Sequence, residues 1–183
     1  LHVTFSPMTD LVRDARWGRV MESTGEDVYL NSQFAKAVTE GYQGNDLAGE
    51  ETLGACVKHF AGYGAPEAGR DYNTVQLTER TFREYYLPAY QAAVDAGVAL
   101  VMTSFNTVND IPATVNKQLM RGILRDEMGF DGVLISDFGA IGETIAHGLS
   151  SDRADAAKRA LEAGVDIDMM SGVYPEQLEQ LIR

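Results

Sequence analysis

The sequence predicts an α/β domain, a parallel sheet wrapped by helices, and three observations carry that prediction. Short apolar runs rich in β-formers alternate with longer segments of helical period. Each run is near-continuously apolar for much of its length, as in strands covered on both faces. No G-x-G-x-x-G follows a strand and no G-x-x-x-x-G-K-[ST] occurs, so nucleotide-binding folds lose their usual support. An open doubly wound sheet and a closed barrel both fit the alternation. The 183 residues suffice for one domain but fall short of the roughly 250 of a complete (β/α)₈ barrel.

The elements follow in order. The chain opens on the apolar run Leu1-His2-Val3-Thr4-Phe5, and the first strand is expected over Val3–Met8. The next helix carries Phe34, Val38 and Tyr42 and ends near Gly44. Ala55–Phe60 forms the second strand. Thr78 is available to cap a helix with Phe82, Tyr85, Tyr86, Ala89 and Ala93 on one face, which Pro88 should kink. Val98–Ser104 is the third strand, and Asn116 can cap a helix carrying Leu119, Ile123 and Leu124, closed by Gly129. Gly132–Ser136 is the fourth strand. Ser151 can cap a helix carrying Ala154, Ala157, Ala160 and Leu161, which Gly164 ends. Val165–Met169 is the fifth strand, and Glu176 to Arg183 reads as a helix without a stop signal. Both ends look like cuts, so the expectation is an internal piece of a longer protein. No short-period repeat or low-complexity linker divides it, and a single domain is expected.

Fifteen basic residues against 27 acidic ones give a net charge of −12, with no basic cluster to relieve it. That balance argues against nucleic acid and anionic membranes as partners and favours a neutral ligand. No apolar stretch approaches the roughly 20 residues of a membrane span. Cys56 is the only cysteine, which excludes an internal disulfide and leaves cytosol and periplasm both open. His2, His59 and His147 are far apart and no C-x-x-C occurs, so neither a metal nor another cofactor is expected. The Ser-nucleophile signature G-x-S-x-G is absent too.

In parallel barrels the chemistry gathers at the C-terminal ends of the strands. The run Gly132 to Ser136 ends in Asp137-Phe138-Gly139, which sets a carboxylate directly after a buried strand. Asp137 could equally cap the helix that begins near Ile141. Cys56-Val57 runs into Lys58-His59-Phe60; alternation sends Lys58 and His59 to opposite faces unless the strand ends there, and Gly62 and Gly64 permit the turn. Two dense polar loops complete the candidates, Arg13-Asp14-Ala15-Arg16-Trp17-Gly18-Arg19 and Gly69-Arg70-Asp71-Tyr72-Asn73. Within the first, Arg13, Asp14 and Arg16 read best as an ion-pair network that locks the loop.

Taken in order, these segments resemble glycoside hydrolase family 3 through nearly the whole chain. The resemblance is carried by the two polar loops, with Gly25-Glu26-Asp27 after the first, and by Lys58-His59-Phe60-Ala61-Gly62-Tyr63-Gly64. Ser104-Phe105-Asn106, Gly129-Phe130-Asp131-Gly132 and Ser136-Asp137-Phe138-Gly139-Ala140 complete it. It is closest to the periplasmic bacterial β-glucosidases, on Tyr63-Gly64-Ala65, Asp71 to Val75, Ala140-Ile141 and His147-Gly148. The resemblance implies a partial (β/α)₈ TIM-type barrel over residues 1–183, without its first strands and without the C-terminal sandwich domain. It implies a periplasmic or secreted protein.

The roles it implies are specific. Asp137 is the nucleophile of a retaining, exo-acting β-glucosidase, and Arg19, Lys58, His59 and Arg70 bind hydroxyls of the cleaved sugar. Met102 and Phe105 line the pocket, the latter where many relatives have Tyr, and Phe138 forms a wall where relatives often have Trp. The substrate is a β-glucoside or short oligosaccharide. Retention needs a second, protonated carboxyl about 5–5.5 Å from the nucleophile. In most of the family that acid comes from the C-terminal domain, which is therefore the expected partner. The aminidase branch uses an Asp–His pair in the loop after Lys58-His59-Phe60, where this chain has Tyr63 and Asn73. The isolated piece is accordingly expected to be inactive. β-Xylosidase activity, a Schiff-base barrel using Lys58, and a non-catalytic sugar-binding module are the competing readings.

Overall fold

The computed structural model describes residues 2–72 and 74–183. Leu1 and Asn73, which belong to the opening apolar run and to the polar loop after Arg70, lie outside the described residues. Four strands, β1 (Val3–Thr4), β2 (Gly54–Phe60), β3 (Leu100–Thr103) and β4 (Val133–Ile135), form one parallel sheet in the order β1-β2-β3-β4. A strand order that follows the chain without reversal is that of a barrel wall, whereas doubly wound sheets reverse direction. The register runs Thr4 with Ala55, Val57 with Val101, and Val101 with Leu134.

Alternation explains why the strands are apolar throughout. Val57, Val101 and Leu134 face the helices and join the main core, while Cys56, Leu100, Met102 and Ile135 form a second cluster on the other face. Burial pushes the Cys56 thiol up to about 12.

Two expected strands are shorter than their apolar runs. β1 stops at Thr4 because Pro7, with no N–H, interrupts the ladder, although the Cys56 and Lys58 amides still donate to the Ser6 and Pro7 carbonyls. Val165–Met169 contributes only a bridge between Ile167 and Ile135, where the Leu134 carbonyl accepts from both Asp166 and Ile167. A small antiparallel hairpin joins Thr107–Val108 to Ile111–Pro112.

Helix α1 (Val28–Gln43) starts at Asp27, whose carboxylate accepts from the Leu30 N–H, and stops at Gly44 with φ +57°. It carries Phe34, Val38 and Tyr42 but turns the adjacent row inward: Asn31, Ala35, Thr39 and Gln43 are buried while Phe34 and Tyr42 are exposed. The polar members of that row serve the backbone. Gln43 Oε1 accepts from the Ala55 and Ala99 amides at 3.1 and 2.8 Å, and Asn31 donates to the Thr9 carbonyl at 2.9 Å.

Thr78 caps the turn Glu79–Thr81, and the chain continues through wide turns at Phe82–Tyr86 into α2 (Pro88–Asp95). The break falls at Pro88, ahead of which the Leu87 amide reaches the Phe82 carbonyl five residues back. The shift in phase buries Phe82, Tyr86, Ala89, Tyr90 and Ala93 and leaves Tyr85, expected on the inner face, exposed. A second wide-turned helix, Gln118–Glu127, is capped by Asn116, which accepts from the Leu119 amide.

Helices α3 (Ala140–Ala146), α4 (Arg153–Ala163) and α5 (Val173–Ile182) complete the chain. The cap of α4 is Asp152 rather than Ser151. Asp152 accepts from the Asp155 N–H, and the Asp155 carboxylate accepts the Ser151 N–H in return. No helix among the described residues is long and apolar enough to cross a membrane.

Candidate active site

The polar ends of β1, β2 and β4 converge at one mouth of the sheet. Asp137 follows β4 and is 7% exposed. Its Oδ1 accepts the Phe138 N–H at 2.7 Å, and its Oδ2 is buried without a hydrogen-bond partner. The helix-cap reading of Asp137 is not realised, because α3 is preceded by Gly139 at φ +73° and takes no side-chain cap. Ser136 and Gly139 anchor the turn through hydrogen bonds with the Met169 backbone at 2.8 Å each.

At the end of β2 the register shifts between Val57 and Phe60, which breaks the alternation that would separate Lys58 from His59. His59 is buried. Its Nδ1 lies 2.7 Å from Asp10 Oδ2, and its Nε2 lies 3.2 Å from Arg19 Nη1 and 3.5 Å from Asp137 Oδ2. Arg19 is held from behind by a two-pronged pair with Glu22, both contacts at 2.7 Å. That hydrogen bonding raises the Arg19 pKa further and lowers the Glu22 carboxyl. The Lys58 ammonium acts electrostatically on Glu22 and on Cys56, favouring the ionised form of each.

An aromatic wall borders these charges. Tyr72 stacks on Phe105 at 4.4 Å, and Tyr63 meets Trp17, His59 and Phe105 edge-on at 5.2, 5.1 and 6.0 Å. Arg19 lies over the Tyr63 ring at 5.5 Å. The Tyr63 hydroxyl is buried with no partner in good hydrogen-bonding geometry; burial, then the neighbouring Asp71, raises its pKa. The Trp17 indole donates to Asp71 at 3.0 Å, tying the two polar loops together.

Of the residues expected at the site, Arg19, Lys58, His59 and Asp137 come together, and Phe105 joins the wall. Met102 lies beneath, in the inner apolar cluster, and Phe138 is 61% exposed beside Asp137. Arg70 is exposed and its side chain makes none of the described contacts; its backbone N–H donates to the Glu67 carbonyl at 3.2 Å, and its neighbour Asp71 is the one that accepts from Trp17. Arg16 pairs with Asp14, whose carboxyl is lowered to about 2, while Arg13, expected in the same network, makes no ion pair among those described and donates its backbone N–H to the Gly64 carbonyl at 2.9 Å.

Three functional-looking residues escaped sequence reasoning. Glu22 braces Arg19. Glu143, half-buried on α3, has its pKa raised by burial and next by Asp137. Asp10 follows Thr9 at the end of the first apolar run, just as Asp137 follows Ser136, so one signal marks both. Among the described residues no three His, Cys, Asp or Glu side chains group as a metal site. A groove of about 470 Å³ between α2 and the Gln118–Glu127 helix is lined by none of these groups.

A family model for the glycosyl hydrolase family 3 N terminal domain matches residues 1–183. The chain belongs to glycosyl hydrolase family 3. Members of the family that it resembles include the periplasmic beta-glucosidase of Salmonella typhimurium, 44% identical over all of this chain and 24% of that protein. A beta-xylosidase of Formosa agariphila is 43% identical over 92% of this chain and 24% of its own length. Among solved structures, the beta-glucosidase of Listeria innocua in complex with glucose superposes with a TM-score of 0.95. It is 58% identical over 99% of this chain and 26% of that one. The chain thus spans about a quarter of the length of these relatives, within the family's TIM-barrel-like domain.

Proposed function

We propose that this chain carries the nucleophile half of a retaining, exo-acting β-glucosidase site, with Asp137 forming the covalent glycosyl-enzyme. One observation carries the reading: Asp137 presents a buried, unpartnered Oδ2 at a strand end while its Oδ1 is pinned by the Phe138 amide. In the first step Oδ2 attacks the anomeric carbon as the glycosidic C–O bond breaks. A protonated carboxyl about 5–5.5 Å away gives its proton to the leaving oxygen, and the same group later takes a proton from the attacking water.

The residues around Asp137 suit a neutral, hydroxyl-rich ligand. Arg19, Lys58 and His59 offer hydrogen-bonding groups beside the carboxylate, and hydroxyl contacts that tighten as the ring flattens favour the transition state. The Tyr63, Tyr72 and Phe105 wall supplies an apolar face for the sugar, with Met102 below it and Phe138 on the leaving-group side. Arg70, exposed on the loop beside Asp71, shares the hydroxyl contacts. The relatives' names support a β-glucoside or short oligosaccharide as substrate, and a periplasmic or secreted location. The general acid comes from the C-terminal domain of the full-length chain, so residues 1–183 alone turn over no substrate. A β-xylosidase reading is favoured by the similarity to the Formosa enzyme, and relative turnover of aryl glucosides and aryl xylosides separates the two.

The test is chemical rescue in the catalytically competent protein. Asp137→Gly should abolish hydrolysis of an aryl β-glucoside, and added azide should restore aryl release with an α-glucosyl azide as product. Substantial activity of Asp137→Gly without azide would refute the assignment.

A further inference from the structure

We infer that Asp10 is a positioning residue that selects the tautomer of His59 and, through it, keeps the attacking oxygen of Asp137 free. Asp10 is 2% exposed and its carboxylate collects three donors. The His59 backbone N–H approaches Oδ2 at 3.2 Å and the His59 Nδ1 at 2.7 Å, while the Tyr90 hydroxyl reaches Oδ1 at 3.1 Å. An ionised carboxylate only accepts, so the contact with Nδ1 requires a proton on Nδ1.

The other ring nitrogen faces Arg19 Nη1 at 3.2 Å. A guanidinium only donates, so Nε2 must be the acceptor and carries no proton. The two contacts together specify one species, the neutral imidazole with its proton on Nδ1. In that tautomer the 3.5 Å approach of Nε2 to Asp137 Oδ2 is neither an ion pair nor a hydrogen bond. This accounts for Oδ2 being left without a partner. With the proton on Nε2 instead, His59 would lose Arg19 and donate to Oδ2, tying up the lone pair that attacks.

The consequence for Asp137 rests on its being the nucleophile; the tautomer assignment does not. Asp10→Leu is the informative change. Leu fills a similar volume but offers Nδ1 no acceptor. Asn would instead keep its oxygen on Nδ1 and turn its NH₂ to the Tyr90 hydroxyl, which also accepts while donating to the His59 carbonyl. The readout is the long-range ¹H–¹⁵N spectrum of the ¹⁵N-histidine-labelled, catalytically competent protein, with His59 assigned by its loss in His59→Gln. The unsubstituted protein should show His59 protonated at Nδ1 and bare at Nε2. Asp10→Leu should move the proton to Nε2 or mix the two forms, and should slow formation of the glycosyl-enzyme about 10- to 100-fold. Tyr90→Phe, which removes a neighbouring hydrogen bond but leaves the carboxylate, should keep both the tautomer and the rate within a few-fold.

A proton on Nε2 in the unsubstituted protein would overturn the inference even if Asp10→Leu failed to fold. So would an unchanged His59 tautomer in a folded Asp10→Leu variant. If the tautomer behaves as described but the covalent sugar sits on another carboxylate, the nucleophile assignment fails and the role of Asp10 toward His59 stands.

Discussion

Replacing Tyr90 with Phe tests whether the Asp10–His59 pair is held from below. Tyr90 is 1% exposed, and its hydroxyl serves two buried acceptors, the His59 carbonyl at 2.6 Å and Asp10 Oδ1 at 3.1 Å. The substitution removes one oxygen and leaves the ring, which keeps its edge-on contact with Phe60 at 5.1 Å, so no cavity term enters. A lost hydrogen bond to a charged group costs about 1.5–3 kcal/mol. In a domain of this size each kcal/mol moves the thermal midpoint by about 2–4 °C. Tyr90→Phe should therefore lower the midpoint by roughly 4–8 °C at a cost of about 2 kcal/mol, read by calorimetry near neutral pH. A shift below about 1 °C would refute the reasoning, because the hydroxyl would then contribute nothing to holding the pair.

Two further substitutions probe the scaffold and the charge around the site. A Cβ on Gly64 would stand 2.2 Å from the Leu11 carbonyl oxygen, a backbone atom that cannot step aside, so Gly64→Ala should destabilise by more than about 3 kcal/mol. Gly41→Ala, in the last turn of α1 with nothing within 4 Å, should instead raise the midpoint slightly, and equal behaviour of the two variants would contradict the packing account. Glu143 has its pKa raised in the fold by burial and then by Asp137. The folded chain therefore holds that proton longer than the unfolded chain, and the stability it contributes is lost as pH rises through the folded value. Glu143→Gln should thus gain stability over the parent as pH rises above the ordinary glutamate value of about 4, and a difference independent of pH would contradict this.

Much of the fold was legible because the strands are buried on both faces and so appear as unbroken apolar runs. The run before Asp137 and the glycines after His59 placed two site residues without any tertiary information. What sequence alone missed has physical causes. α1 spends its inward row on Asn31 and Gln43, which bind backbone groups of other segments, and on Thr39, which donates to the Ala35 carbonyl one turn back, so the visible apolar row faces outward. Tyr85 was misplaced because the wide turns ahead of Pro88 alter the helical phase. Ser151 and Asp152 are both good caps, and only geometry separates them. Asp10 carried the same strand-end signal as Asp137 but lacked the glycine and aromatic that made Asp137 conspicuous, and its partners lie 49 and 80 residues away.

The central claim, that Asp137 is the nucleophile, is tested most directly by covalent trapping. The catalytically competent protein is inactivated with a 2-deoxy-2-fluoro-β-glucoside carrying a good leaving group, digested, and mapped by peptide mass spectrometry. The account predicts one added fluoroglucosyl group, on Asp137 in the peptide that contains Ser136 and Phe138. An adduct on any other carboxylate of a protein that hydrolyses β-glucosides would contradict it.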